Sequence, residues 1–262
     1  MSGFHGSILP ATKREKMASR AVQLSFVVAL GGLWYFATNH WGVNPLLLPK
    51  PQLVFVELAD ILRSGEFWPD LVLTLSELGA AFAISLSLGL IIGFLVSLSP
   101  ALVKVFEPLI AAVYAVPIIL FLPLYVLFFG LGAPSKIALG ATISFFPIVL
   151  NTIAGFISVE KVYVTAARSM GASPTMLVRY VLVPGAFPVI LTGLRMGFTV
   201  ALFSIIGSET IASLAGLGHR IVHLAEAMEM ARMFAYIVFV IGIAATLNQL
   251  VSWLEKKGTS WR

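Results

Sequence analysis

The sequence predicts an all-α, polytopic membrane protein with about six transmembrane helices, and three observations carry that reading. Of its 262 residues 59% are hydrophobic and only 11% charged, with a mean hydropathy of +0.97, a balance no ordinary soluble domain has. The apolar residues form runs long enough to cross a bilayer, since about 20 residues at about 1.5 Å each span a hydrocarbon core of roughly 30 Å. The basic residues sit mainly between those runs, where a charge avoids the cost of hydrocarbon.

Composition also excludes some functions. The net charge of +5 does not mark a nucleic-acid surface, because the basic residues neither form one long run nor interleave with aromatics. There is no cysteine, so neither a disulfide framework nor a thiolate metal site is open to the chain.

Taken in order, residues 1–20 predict a tail with Lys13, Arg14, Lys16 and Arg20, and residues 21–262 a single transmembrane domain. The run from Ala21 to Ala37 exceeds a signal-peptide core, and no small-residue cleavage site follows in TNHWGVNP. It predicts a retained first span over 21–40. A loop with Pro45, Pro49 and Pro51 follows. Residues 52–63, LVFVELADILRS, place apolar side chains at helical spacing but are too short to cross, which predicts a helix lying on the membrane surface. Further spans are expected at 71–98, 104–131, 135–157, 186–213 and 231–254. Residues 158–185 mix polar and apolar side chains and are too polar to span.

Orientation follows from the placement of Lys and Arg. With both termini inside, the inner pieces hold Lys13, Arg14, Lys16, Arg20, Lys104, Lys161, Arg168, Arg179, Lys256, Lys257 and Arg262. The outer pieces hold only Lys50, Arg63, Lys136, Arg220 and Arg232. Both termini and the 158–185 interval are therefore expected on the cytoplasmic side.

Within that interval stand Thr165, Ala166 and Ala167, three residues, Gly171, nine residues, then Val181 to Pro184. Gly171 suits the left-handed close of a first helix, Ser173 the cap of a second and Pro174 its first turn. The second helix is expected to end before Pro184. Ala166 and Ala167 leave a small-residue face that another surface can approach closely, so the pair is expected to be a docking element.

This spacing resembles the EAA loop of binding-protein-dependent importer permeases, whose pattern is E-A-A, three residues, G, nine residues, I-x-L-P. The chain keeps both alanines, the glycine, the proline and every interval, and carries Thr165 for Glu and valines 181 and 183 for Ile and Leu. The resemblance extends over roughly residues 70–255. The segments 116–130, 145–155, 193–202 and 207–218 look like the branch that imports nitrate, taurine, alkanesulfonates and related solutes.

The resemblance implies the transmembrane fold of a type I ABC importer in the bacterial inner membrane. It implies that Thr165, Ala166, Ala167, Gly171, Ser173, Val181 and Pro184 couple the chain to a cytoplasmic ATPase. The implied partners are lipid, a second copy of the chain, two ATPase subunits and an outer solute-binding protein, with no nucleic acid. No cofactor is expected on this chain, because no G-x-x-x-x-G-K-[ST] loop occurs in it and ATP and Mg belong to the ATPase.

Charged and helix-breaking residues inside the expected spans are candidates for the solute path or its gate. Arg195 and Glu209 lie fourteen residues apart on one face of the fifth span, separated by about 21 Å and unable to pair. Arg195 is expected to hold the loop to the bundle, and Glu209, with neighbouring Ser208, to serve the outer gate or a subunit contact; snorkelling to the membrane surface is the alternative for both charges, as it is for Glu77. Pro117 and Pro123 fall in one span, where a kink either lines a solute route or serves packing. The pairs Gly89/Gly93 and Gly193/Gly197 suit close helix packing. His219 and His223, four apart with Glu226 nearby, lack a clear third ligand and are read as solvated. A self-contained secondary carrier or a membrane-embedded enzyme remains the competing function. The first would show internal repeats and the second paired catalytic groups within the spans, neither of which the sequence offers.

Overall fold

The computed structural model describes residues 13–259, all in helices and connecting turns. In chain order they form α1 (Lys13–His40), α2 (Pro51–Ser64), α3 (Trp68–Ser97), α4 (Pro100–Tyr114), α5 (Leu122–Phe129), α6 (Ala133–Ile157), α7 (Lys161–Ser169), α8 (Pro174–Leu177), α9 (Val183–Ile211), α10 (Leu217–Glu226) and α11 (Met230–Thr259). Residues 1–12 of the expected tail lie outside the described residues, and residues 13–20 are helical and continuous with the first span. Prolines punctuate the chain: Pro51, Pro69, Pro100, Pro123, Pro134 and Pro174 all stand in first turns. There an amide N–H has no partner within its helix, so its absence costs nothing.

Among the described residues five helices are long and apolar enough to cross a membrane: Ala21–His40, Trp68–Ser97, Ala133–Ile157, the run Pro174–Ile211 and Met230–Trp253. The sixth expected span, 104–131, is not one helix. It is α4 and a second stretch, Ile118–Phe129, bent by 71°. Pro117 stands at the break, with ψ at 84° and a tight 3-10 turn over Ile118–Phe121 after it, because a proline disfavours helix in the residue before it and offers no N–H. Pro123 does not kink a helix; it opens α5.

The core sits where α6 is clamped between α3 and α9. A Cβ on Gly89 of α3 would stand 2.6 Å from Ile148 Cγ2, and one on Gly197 of α9 2.6 Å from Ile148 Cγ1. One α6 side chain thus fills the notch of both glycine faces. Gly93 likewise receives Thr152, and Gly193 receives Asn151. Lipid is as apolar as the helix surfaces, so close backbone approach rather than water exclusion holds such a layer together.

A second apolar cluster, with Val54, Ile61, Phe67, Leu71, Leu217, Leu224 and Tyr236, packs α2 and α10 against α11 and the start of α3. The amphipathic face predicted for residues 52–63 is spent on that contact. By contrast α1 stands nearly alone, with only 6% of its apolar window buried. It is tied to the rest by Trp34, whose Nε1 donates to the Pro49 carbonyl at 3.0 Å.

Candidate functional site

Residues 158–185 form a knob at one end of the bundle. Gly171 has φ 81°, and two hydrogen bonds close α7 over it, Gly171 N–H to the Arg168 carbonyl and Ala172 N–H to the Ala167 carbonyl, both 3.0 Å. This is the paired closure of a helix on a left-handed glycine. Ser173 then caps α8, its Oγ accepting from Met176 N–H at 3.3 Å. Thr165 and Ala166 are exposed but Ala167 is buried, so the two alanines do not share an outer face. At about 100° per residue they serve opposite tasks, Ala167 packing inward and Ala166 leaving the crest bare.

The knob is mounted tightly. A Cβ on Gly185 would meet Val159 at 2.9 Å, and one on Gly155 would meet the Ala186 carbonyl at 3.0 Å, so the ends of α6 and α9 approach within backbone contact. The second helix does not stop before Pro184. A π-type turn over Val178–Leu182, which includes Val181, carries it into α9, and Val183 N–H reaches back to the Val178 carbonyl. Such a local widening lets a helix run through a proline. The result is one helical run of 38 residues, Pro174–Ile211, from the knob to the far end of the bundle.

Along that run Arg195 does not hold the knob. It is half-exposed and ion-paired at 3.4 Å to Glu255 of α11, while Thr199 Oγ1, one turn on, donates to Asn248 of α11 at 3.0 Å. These polar stitches join α9 to the last helix.

At the far end Glu209 is buried, 1% exposed, and neither snorkels nor offers a surface to a second subunit. Its carboxylate accepts from Thr74 Oγ1 at 2.7 Å and from Gly218 N–H at 2.8 Å. Thr74 in turn accepts from Leu217 N–H at 3.1 Å, and Asp70 from Gly216 N–H at 3.0 Å. Three successive amides at the start of α10, which have no acceptor inside the helix, are thus taken by three side chains. Gly216, at φ 110°, and Gly218 leave the room this needs, because a Cβ on the first would overlap the Glu209 carboxylate and one on the second the Ile206 carbonyl. Ser208 is fully buried and donates to the Ile205 carbonyl of its own helix at 2.8 Å, so its hydroxyl faces no path.

Sequence reading missed three members of this latch. Lys136, expected in an outer loop, is 1% exposed and turned inward to Glu77 Oε1 at 2.6 Å and Ser213 Oγ at 2.9 Å. Glu77 is equally buried, which rules out snorkelling. The signal was present: Asp70, Thr74 and Glu77 recur at i, i+4 and i+7, one face of α3. Beside the latch, Arg220 pairs with Asp70 at 3.0 Å, and Arg232 with Glu66 at 2.8 Å, Glu57 at 3.2 Å and Asp60 at 3.4 Å. Burial works to raise the Glu66 carboxyl, but hydrogen bonds from Arg232 and Tyr236 and the charges of Arg232 and Arg220 outweigh it and hold it below its ordinary value. His219 and His223 lie on α10 with ring centroids 6.2 Å apart.

Comparison with known proteins bears on this arrangement. Residues 85–259 match the family described as binding-protein-dependent transport system inner membrane component. The chain is 33% identical over 250 residues to the taurine transport system permease protein TauC of Escherichia coli (strain K12), covering 93% of this chain and 91% of that protein. It is 28% identical over 253 residues to the putative aliphatic sulfonates transport permease protein SsuC of Bacillus subtilis (strain 168), covering 97% and 91%. Among solved structures, a chain of the inward-facing MetNI methionine ABC transporter superposes with a TM-score of 0.65 at 16% identity, covering 74% of this chain and 96% of that one. An amino acid ABC transporter solved with histidines gives 0.61 at 24% identity, covering 76% and 95%.

Proposed function

The chain belongs to the binding-protein-dependent transport system inner membrane component family, as a multi-pass permease subunit of an ABC importer, and from that premise we propose how it works and what it carries. Two copies enclose a path across the inner membrane, with both termini and the knob on the cytoplasmic side. Two ATPase subunits bind the knobs and hydrolyse ATP with Mg, while an outer binding protein delivers the solute. The chain itself performs no chemistry. The solute is a small sulfonate of the taurine kind, supported by the names of the relatives above; nitrate is the alternative that the resemblance of the sequence implies.

The observation that carries this reading is the unbroken helical run from Pro174 to Ile211. A push on the knob needs no flexible linker to reach the membrane, because α8 and α9 are one rod joined by a π-type turn. Thr165, Ala166, Gly171 and Ser173 shape the knob, Ala167 seats it, and Val181 and Pro184 lie in or beside the turn that transmits its motion. Broken backbone at membrane depth is tolerated where it meets protein or water rather than lipid, so the break at Pro117 and the restart at Pro123 line the path. Arg195 braces α9 on α11, and Glu209 with Ser208 fixes the outer end against which the path opens.

The test is Gly171→Pro. Proline holds φ near −65°, whereas residue 171 stands at 81°, so α7 cannot close and the knob loses its shape. In proteoliposomes containing the complex, uptake of labelled taurine is expected to fall at least tenfold while the chain still inserts and ATP is still hydrolysed. Undiminished uptake would show that residues 158–185 do not couple the two. Copurification separates the competing classes, because a secondary carrier or a membrane enzyme would work without an associated ATPase.

A further inference from the structure

The knob's exposed surface has two unlike sides, and these describe the groove that receives it, an inference that rests on the docking reading above. At about 100° per residue, Lys161 and Arg168 fall together on one flank of α7, and Tyr163 and Met170 fall together on the opposite flank. Val162, Thr165, Ala166 and Ser169 form the uncharged crest between them, and all eight are exposed, whereas Val164 and Ala167 turn toward the bundle. Met170 is 82% exposed and Tyr163 58%. Glu160 is the one acidic residue between 158 and 185, and neither Lys161 nor Arg168 has an ion-pair partner among the described residues.

Two explanations compete for such a surface. A flat anionic bilayer would take the apolar side chains downward, and in that pose the two cations, on the far side of the helix, point away from the headgroups. A cleft has two walls and meets both flanks at once, its floor receiving Val162 and the small side chains of Thr165, Ala166 and Ser169. We infer that the knob seats in an ATPase cleft with one apolar wall facing Tyr163 and Met170 and one carboxylate-bearing wall facing Lys161 and Arg168. The apolar wall supplies contact area and the acidic wall fixes direction, since charge complementarity governs register and wrong-partner rejection more than total affinity.

The experiment uses the full chain in nanodiscs and the ATPase that copurifies with it. Binding of that ATPase is measured from low salt to 0.5 M salt for the unaltered chain, for K161E/R168E and for the milder K161Q/R168Q, in neutral and in anionic lipid. Met170→Cys, crosslinked to the ATPase, reports docking independently of charge. The expected result is a crosslink, together with binding that weakens with salt and on the order of tenfold with the double reversal in both lipids. The glutamine pair should show a smaller loss, which keeps the test valid if the reversed chain fails to fold. A crosslink with no effect of charge or salt overturns the acidic wall and leaves the docking reading standing. Loss confined to anionic lipid assigns the cations to the membrane and overturns it as well. Absence of any crosslink removes both.

Discussion

The two ends of the Pro174–Ile211 run are built on opposite principles. At the far end each of Glu77, Lys136 and Glu209 is buried and engaged by another helix, and the amides of Gly216, Leu217 and Gly218 are all claimed by side chains. At the knob end Lys161, Arg168 and Arg179 are exposed, and the helix passes through a π-type turn. Charge in a dry interior is tolerated only when paired, so the far end is fixed by its chemistry. The knob end is held by glycine contacts at its base and is otherwise open to a partner. One rod therefore has a clamped end and a receptive end.

The contrast is testable by making the same change at both ends. Lys136→Ala strands Glu77 in the interior and is expected to cost about 3–5 kcal/mol, as breaking a buried pair does, visible as a large drop in folded yield and in thermal midpoint in detergent. Lys161→Ala should leave both unchanged, and equal effects would refute the distinction. Glycines give the next comparison. Gly218→Ala drives a Cβ into the Ile206 carbonyl and should cost about 1–3 kcal/mol, whereas a Cβ on Gly171 meets nothing within 4 Å. Gly171→Ala there adds only the left-handed strain of about 1–2 kcal/mol, with its main effect on coupling.

Smaller effects sharpen the picture. Glu66 has a carboxyl held below its ordinary value of 4.5 by Arg232 and Tyr236 against the opposing effect of burial. Its contribution is fully present above the unfolded value near 4.5 and is lost as pH falls through the lower folded value. Because 34% of the side chain is exposed and solvent screens the pair, that contribution is less than about 1 kcal/mol. Glu66→Gln should therefore flatten the acid limb of a stability–pH curve below pH 4.5, and an unchanged limb would place the acid sensitivity elsewhere. The smallest effect is expected at Arg195–Glu255, a half-exposed pair, where Arg195→Gln should shift stability by about 0.2–1 kcal/mol and fade with salt.

Much of this was legible in the sequence because hydropathy reports length and glycine reports turns. The spans over 71–98 and 135–157, the short helix over 52–63 and the turn at Gly171, Ser173 and Pro174 all follow from local rules that the structure obeys. What escaped depends on partners distant in sequence. Lys136 reads as a loop lysine because nothing near it reveals Glu77, 59 positions earlier, as its counter-charge. Glu209 reads as a gate or a snorkelling residue because its acceptor role needs Thr74 and the Gly218 amide. Pro123 and Pro117 look alike in a hydropathy profile, yet one opens a helix and the other marks a break. Pro184 reads as a stop only if an α-helical ladder is assumed, and a π-type turn evades it.

The 38 residues from Pro174 to Ile211 amount to a rod of about 57 Å, against a hydrocarbon thickness of roughly 30 Å. Roughly half of it overhangs the membrane or is taken up by tilt. With an ATPase docked on the stub, as proposed, an overhang of that size would act as a crank handle: a sideways stroke on the stub would turn into rotation of the buried shaft. Because Glu209 and its neighbours bolt the shaft's other end to α3 and α10, and Ile148 is keyed into notches on both α3 and α9, the shaft cannot pivot alone. Any stroke it receives must swing α3, α6 and α9 together as one slab.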